Sequence, residues 1–257
     1  MRAIWTGSIG FGLVNIPVKI YSAIEQSELD LDMLDKKDHS NIKFKRVNEN
    51  TGKEVTWENI VKGYKMEDQY VILEDEDFVN ASPEKTKTIE ISEFVSEDEI
   101  DGIYFETPYY LSPEKSGVRP YALLRDALAK TGKCGIGTYV LRTRENIALL
   151  KPMGDILVLN KLRFSQEIRD TKEIEPPKTT IKPAELKMAI ELIDQLTTEF
   201  DISKYKDEYT AKLLKLIHAK AKGKKISAPQ MRVVKSDTTD LMSQLKASLG
   251  GPKKKTG

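Results

Sequence analysis

The first twenty-one residues constrain the fold most, because apolar side chains recur there at every second position. Ile9, Phe11 and Leu13 alternate with glycines, and after a break at Asn15 the alternation continues to Ile20. A two-residue period is typical of a β-strand with one buried face. The glycines leave the other face bare, which favours strong curvature or a close approach of neighbouring backbone. The stretch therefore predicts strands of a tightly curved β-barrel.

Strand-like segments dominate the first two-thirds of the chain, and one helix interrupts them. The helix is predicted from Pro120, with Tyr121, Leu124 and Leu128 on one face and Gly132 at its end. A turn at Asn50-Thr51-Gly52 predicts a hairpin between a strand before it, over 42–47, and a strand after it, over 54–57. The predicted strands are Ile42–Val47, Glu54–Trp57, Gln69–Leu73, Thr88–Val95, Ile103–Leu111, Gly135–Arg144, Ile147–Leu150 and Ile156–Phe164. This order indicates an α+β, mainly β fold: a barrel or sandwich with helical insertions.

The C-terminal third changes to a helical period after Glu175-Pro-Pro-Lys178. Apolar stripes predict helices over 182–198 and 204–222, and residues 224–236 form a polar linker. A short amphipathic helix is predicted over 237–249, capped by Asp237 or Thr238. We therefore expect a β core over 1–178, a helical arm over 179–223, and a linker with a short helix and a basic tail over 224–257.

Charge is segregated along the chain although its net value is only +1. Residues 22–114 carry 10 basic and 24 acidic side chains, whereas residues 115–257 carry 29 basic and 16 acidic ones. Such asymmetry indicates an electropositive surface for a polyanion beside an acidic outer face.

Three groups of cations contain residues two positions apart, the spacing of side chains on one face of a strand. They are Arg142 with Arg144, Lys161 with Arg163, and the 43–46 stretch. Residues two apart on a strand share one face, so each pair can follow a phosphate backbone without reading bases. The alternative is that these are edge-strand charges that prevent aggregation. Nucleic-acid binding by an open basic face is a second alternative.

Few residues have the spacing that catalysis or a cofactor requires. The two histidines, His39 and His218, lie in no zinc-binding motif, and no phosphate loop or dinucleotide fingerprint is present. We expect no enzyme activity, no cofactor and no metal. The enzymatic alternative is a nuclease whose carboxylates hold two magnesium ions. Its candidate ligands are Asp30, Asp32 and Asp35, or the acidic run Glu74–Asp77.

The compartment is predicted from what the chain lacks. Cys134 is the single cysteine, so an intrachain disulfide is excluded and a reducing environment is favoured. Neither a signal peptide nor an apolar run of about 18 residues is present. We expect a cytoplasmic protein with no membrane contact.

Eight blocks spread in order along nearly the whole chain resemble the bacterial Ku proteins, the DNA-end-binding factors of non-homologous end joining. Their individual motifs encode architecture, and none is a catalytic signature. The blocks are Met1–Tyr21, Ile100–Leu111, Tyr121–Leu128, Arg142 with Arg144, Leu159–Arg163, Glu185–Ala189, Tyr205–Tyr209 and Asp240–Leu249.

The resemblance implies a homodimeric ring that threads onto a double-stranded DNA end, associates with the nucleoid and recruits an ATP-dependent DNA ligase. It implies a bridge at about 29–70 and helical arms that pack across the partner subunit. The DNA-binding residues would be Arg2, Lys19, Lys36, Lys37, Lys43, Lys45, Arg46, Lys53, Arg142, Arg144, Lys161 and Arg163. The ligase-binding residues would be Leu241, Met242, Leu245 and Leu249.

Overall fold

The computed structural model describes residues 1–25, 27–81, 87–223 and 241–250. The chain forms two compact units. The first comprises 1–26 with 31–170, and the second comprises 27–30 with 171–257. None of the helices in the described ranges is long and apolar enough to cross a membrane.

Seven strands of the first unit close into a barrel in the order β1-β2-β6-β9-β8-β7-β5. Neighbouring strands are antiparallel, except that β1 and β5 run parallel where the barrel closes. The mainly β, α+β prediction is confirmed. The barrel strands are β1 (Trp5–Phe11), β2 (Val14–Ser22), β5 (Thr88–Ser96), β6 (Phe105–Pro113), β7 (Lys133–Leu141), β8 (Arg144–Met153) and β9 (Ile156–Leu162).

The N-terminal alternation forms the β1–β2 hairpin, and its turn lies earlier than the sequence predicted. Gly12 adopts a left-handed φ of 56°, and Leu13 in the turn is fully exposed instead of continuing the apolar face. The predicted close approach is present at Gly7, where a Cβ atom would lie 2.2 Å from the Lys87 carbonyl oxygen. A side chain at position 7 would therefore separate β1 from the chain that leads into β5.

A helix, α2 (Val118–Thr131), packs at one end of the barrel and was predicted almost to its limits. Tyr121, Leu124 and Leu128 are buried in the same core cluster as inward-facing residues such as Ile9. Gly132 follows the helix with a φ of 64°, the left-handed conformation that ends many helices.

The predicted strands Ile42–Val47 and Glu54–Trp57 are wrong. An isolated bridge joins Val47 to Glu54, and the turn between them is present because the Asn48 side chain accepts the N–H groups of Asn50 and Thr51. Ile42 and Phe44, which would have formed an apolar strand face, are exposed. Regular structure follows in β3 (Lys62–Met66), β4 (Gln69–Leu73) and α1 (Asp75–Asn80), of which β4 matches the prediction.

The second unit contains α3 (Pro183–Leu196), α4 (Glu208–Ala221) and α5 (Leu241–Gly250). Helix α4 begins later than predicted because the Asp207 side chain accepts the N–H of Thr210 and caps it there. Helix α5 packs against α3. The cap expected at Asp237 or Thr238 lies outside the described residues.

Candidate nucleic-acid interface

Arg142 and Arg144 do not share a strand face, so that prediction is wrong. Strand β7 ends at Leu141, which pairs with Arg144, and Arg142 lies in the tight turn with a left-handed φ of 64°. The side-chain amide of Asn146 donates to the Arg144 carbonyl at 2.8 Å and supports this turn. Both arginines are exposed, and within the described ranges neither forms an ion pair. Their charges are available to an anion.

The Arg142–Arg144 turn lies at the end of the barrel opposite α2, beside a cavity of about 550 Å³ that we call the barrel mouth. Lys161 lines the same cavity, so the structure brings together three cations that the sequence placed in two pairs. Its ammonium group lies 2.9 Å from the Glu106 carboxylate. Because that pair is neutral, the excess positive charge of the mouth comes from the two arginines.

Arg163 is separated from this group. Strand β9 ends at Leu162, and the half-buried Arg163 guanidinium donates from Nη1 to the carbonyl oxygens of Ile103 (3.2 Å) and Phe105 (2.5 Å). The prediction that it lies on one strand with Lys161 is wrong by one residue, because Arg163 follows the end of β9. Arg163 ties the end of β9 to the start of β6.

The cations predicted between Lys36 and Lys53 lie on exposed loop structure, so Lys43 and Lys45 are not a strand pair. Lys45 is ion-paired with Glu54 at 2.6 Å. Arg46 lies 4.6 Å from the centre of the Trp57 ring, a cation–π distance. The others here, Lys36, Lys37, Lys43 and Lys53, are exposed, as is Arg2.

Lys19 differs from the other predicted cations because it belongs to a barrel strand. It lies in β2, half-buried, with its ammonium group 3.6 Å from the Glu114 carboxylate. This ion pair leaves it less available to a phosphate than the arginines of the turn.

Sequence reasoning missed the uncharged and acidic residues of the mouth. Glu106 and Tyr109 come from β6 and Asn146 comes from β8. Tyr139 from β7 is buried in the core near Tyr109 and Glu106. Burial raises the pKa of the Tyr139 hydroxyl, and nearby Tyr109 and Glu106 raise it further. A signal was present: Asn146 is a polar residue at an inward position of an apolar strand.

Two carboxylates of the nuclease alternative form local backbone hydrogen bonds. Asp35 accepts the backbone N–H of Lys37 in a turn, and Asp77 accepts the N–H of Glu74 at the start of α1. Within the described ranges, no three His, Cys, Asp or Glu side chains lie close enough together to hold a metal ion.

The predicted ligase-binding residues lie on α5. Met242, Leu245 and Leu249 are half-buried, and Leu241 is exposed over 53% of its surface. Because α5 packs against α3, part of its apolar stripe is covered by the protein's own arm.

Comparison with known proteins decides the family. Residues 10–188 match the family model Ku, described as the Ku70/Ku80 beta-barrel domain. The chain belongs to the Ku family. It is 40% identical to "Non-homologous end joining protein Ku" of Coxiella burnetii, over 96% of this chain and 94% of that protein.

Other Ku relatives match over similar lengths. The protein of the same name from Opitutus terrae is 42% identical over 99% of this chain and 95% of its own length. The Bacillus subtilis (strain 168) protein is 38% identical over 97% of this chain and 82% of its own length. The likeness therefore extends through the barrel, the segment between β2 and β5, and the C-terminal helices.

Proposed function

We propose that this Ku family member binds double-stranded DNA ends independently of sequence and acts in non-homologous end joining. The observation that carries the proposal is identity of about 40% over nearly the whole chain with relatives named for that process. The protein's part is to bind and hold the ends, and an ATP-dependent DNA ligase would perform the chemistry.

Arg142 and Arg144 supply the phosphate contacts in this proposal. They are exposed and free of acidic partners within the described ranges. Because a tight turn fixes their backbone, binding costs little conformational entropy beyond that of the two side chains. Contacts to phosphate are equally strong on any base sequence. The exposed lysines of the 31–57 segment add further cations. Lys19 and Lys161 contribute less because acidic partners pair with them, and Arg163 contributes less because its Nη1 donates to backbone carbonyls.

We also propose a homodimer that closes into a ring. The segment between β2 and β5 exposes large apolar side chains that it does not cover itself, among them Phe44, Trp57 and Tyr64. On the arm, α3 exposes Leu186, Ile190 and Ile193 on one stripe. Exposed apolar patches of this kind mark interaction surfaces. A second copy would bury both of them and leave the cations free to line an enclosed channel.

Charge reversal tests the DNA contact. Arg142→Glu with Arg144→Glu should weaken binding to any linear duplex by about tenfold or more and reduce the salt slope by about one unit per lost phosphate contact. The matched control reverses two exposed cations of α2, Arg119→Glu with Lys130→Glu, and should bind almost as wild type does. Fluorescence anisotropy over a range of salt concentrations measures both effects. Equal losses in the two variants would mean that only net charge matters and would remove the arginine turn from the interface.

A further inference from the structure

The two ends of the barrel are built differently. At the α2 end, the Tyr121 hydroxyl donates to the Leu111 carbonyl and accepts the Leu157 N–H, both at 2.7 Å, so this buried hydroxyl is satisfied. At the opposite end the interior opens into the barrel mouth. Its volume of about 550 Å³ lies within the range of small-molecule sites in proteins.

A buried polar group without a partner among the described residues lies close to two residues of the mouth. The Tyr139 side chain is 1% exposed, and its hydroxyl has no hydrogen-bond partner among the residues that the structure describes. Its electrostatic neighbours, Tyr109 and Glu106, both line the mouth. A buried hydroxyl is normally hydrogen bonded, and an exception of this kind points to a missing partner.

The walls of the mouth combine two kinds of chemistry. Arg142 and Arg144 provide uncompensated positive charge, since Glu106 already neutralises Lys161. Tyr109, Leu141 and Ile4 provide aromatic and apolar surface on which a planar ring can pack. An anion joined to a flat, partly apolar group fits this combination better than inorganic phosphate does.

We infer that the barrel mouth binds one nucleotide, with its phosphate monoester at the Arg142–Arg144 turn and its base against Tyr109, within reach of the Tyr139 hydroxyl. The nucleotide can be free in solution or can be the unpaired terminal residue of a DNA strand. A base paired inside a duplex would have to leave its stack to enter the cavity, whereas an unpaired base would not. The second source rests on the proposed end binding, whereas the first is independent of it.

The test uses the full-length protein and adenosine 5′-monophosphate as the probe, measured by titration calorimetry. Wild type should bind one nucleotide per chain, and Tyr139→Phe should bind about tenfold more weakly, as expected for loss of one hydrogen bond to a buried hydroxyl. The matched control is Tyr121→Phe, which removes a hydroxyl at the other end of the barrel and should leave nucleotide binding unchanged. If Tyr139→Phe disturbs the circular dichroism spectrum, Arg144→Gln replaces it, because Arg144 is exposed.

A second arm separates the two sources. Binding to a blunt duplex is compared with binding to the same duplex carrying one unpaired 5′-phosphorylated nucleotide. If wild type binds the overhang duplex more tightly than the blunt one and Tyr139→Phe abolishes this preference, the DNA-end source is supported, even when the free nucleotide is not bound. Binding of the free nucleotide that depends on Tyr139, without such a preference, supports the free source. If Tyr139→Phe changes neither measurement, the hydroxyl takes no part in nucleotide binding and the inference is wrong. Failure of wild type to bind blunt ends would instead contradict the proposed function.

Discussion

Tyr121 and Tyr139 both place a phenol ring inside the barrel, but their hydroxyls lie in different surroundings. Leu111 and Leu157 are directly paired residues of β6 and β9, and the Tyr121 hydroxyl bridges the carbonyl of one and the N–H of the other. It therefore fastens α2 to the sheet at that pair. Burial raises the pKa of the Tyr121 hydroxyl above the ordinary tyrosine value, at which it is already protonated at neutral pH and able to donate.

Removing the Tyr121 hydroxyl should destabilise the barrel. Tyr121→Phe leaves one buried carbonyl and one buried N–H without that partner, and the expected loss is about 1–3 kcal/mol in the free energy of unfolding. Tyr139→Phe is the control, since its hydroxyl has no partner among the described residues, and it should unfold at the wild-type urea concentration or above. Urea denaturation compares them. Equal midpoints for the two variants would show that the Tyr121 bridge contributes nothing.

The cap of α4 predicts a pH dependence. Hydrogen bonds from Thr210, first from its side chain and then from its backbone N–H, lower the pKa of Asp207 in the folded protein. The stabilisation is therefore complete above the ordinary pKa of aspartate and disappears as pH falls through the lowered, folded value. Asp207→Ala should reduce helicity at pH 7, and the two proteins should converge in acid. Far-UV circular dichroism from pH 7 to pH 2 measures this, and a constant difference over the whole range would contradict it.

At the scale of elements, the sequence predicted best those features whose signals all lie within one helix or strand. The buried face of helix α2 and its closing Gly132 are confirmed, whereas the helix begins at Val118, two residues before the predicted Pro120. The turn at Arg142 was missed because it contains neither glycine nor asparagine, the residues that usually supply a positive φ. The strands at 42–57 were wrong because their apolar side chains find no core to pack on. Pattern alone cannot reveal that missing partner.

Helix α5 carries a prediction about the ligase. Truncation after residue 236 should leave dimerisation and DNA-end binding intact but abolish stimulation of an ATP-dependent ligase, with Leu241, Met242, Leu245 and Leu249 as the anchors. The exposed Leu241 offers a milder variant, since Leu241→Ala removes an anchor with little effect on the contact with α3. Ligation assays and sedimentation measure these outcomes. If truncation instead unfolds the protein or abolishes DNA binding, α5 only braces its own arm.

At the scale of the whole molecule, the mouth of the barrel could not be predicted, because its residues come from several strands. Glu106, Asn146 and Lys161 are far apart in sequence, and only the closed strand order and register bring them together. The segregation of charge was visible in the sequence, but the sequence did not show which cations are free. In the structure Lys161 is paired with Glu106 and Arg163 donates to backbone carbonyls, whereas Arg142 and Arg144 form no ion pair among the described residues.

Threading of a closed ring over a DNA end is the central claim, and competition between two forms of one DNA molecule tests it most directly. A relaxed, covalently closed circle and the same circle cut once have the same phosphates, length and sequence, so they differ only in having ends. We predict that the cut form binds at least about tenfold more tightly than the circle at the same salt concentration, where non-specific phosphate contacts are equal for both. Equal affinity for the two forms would contradict the ring and leave an open basic face as the better description.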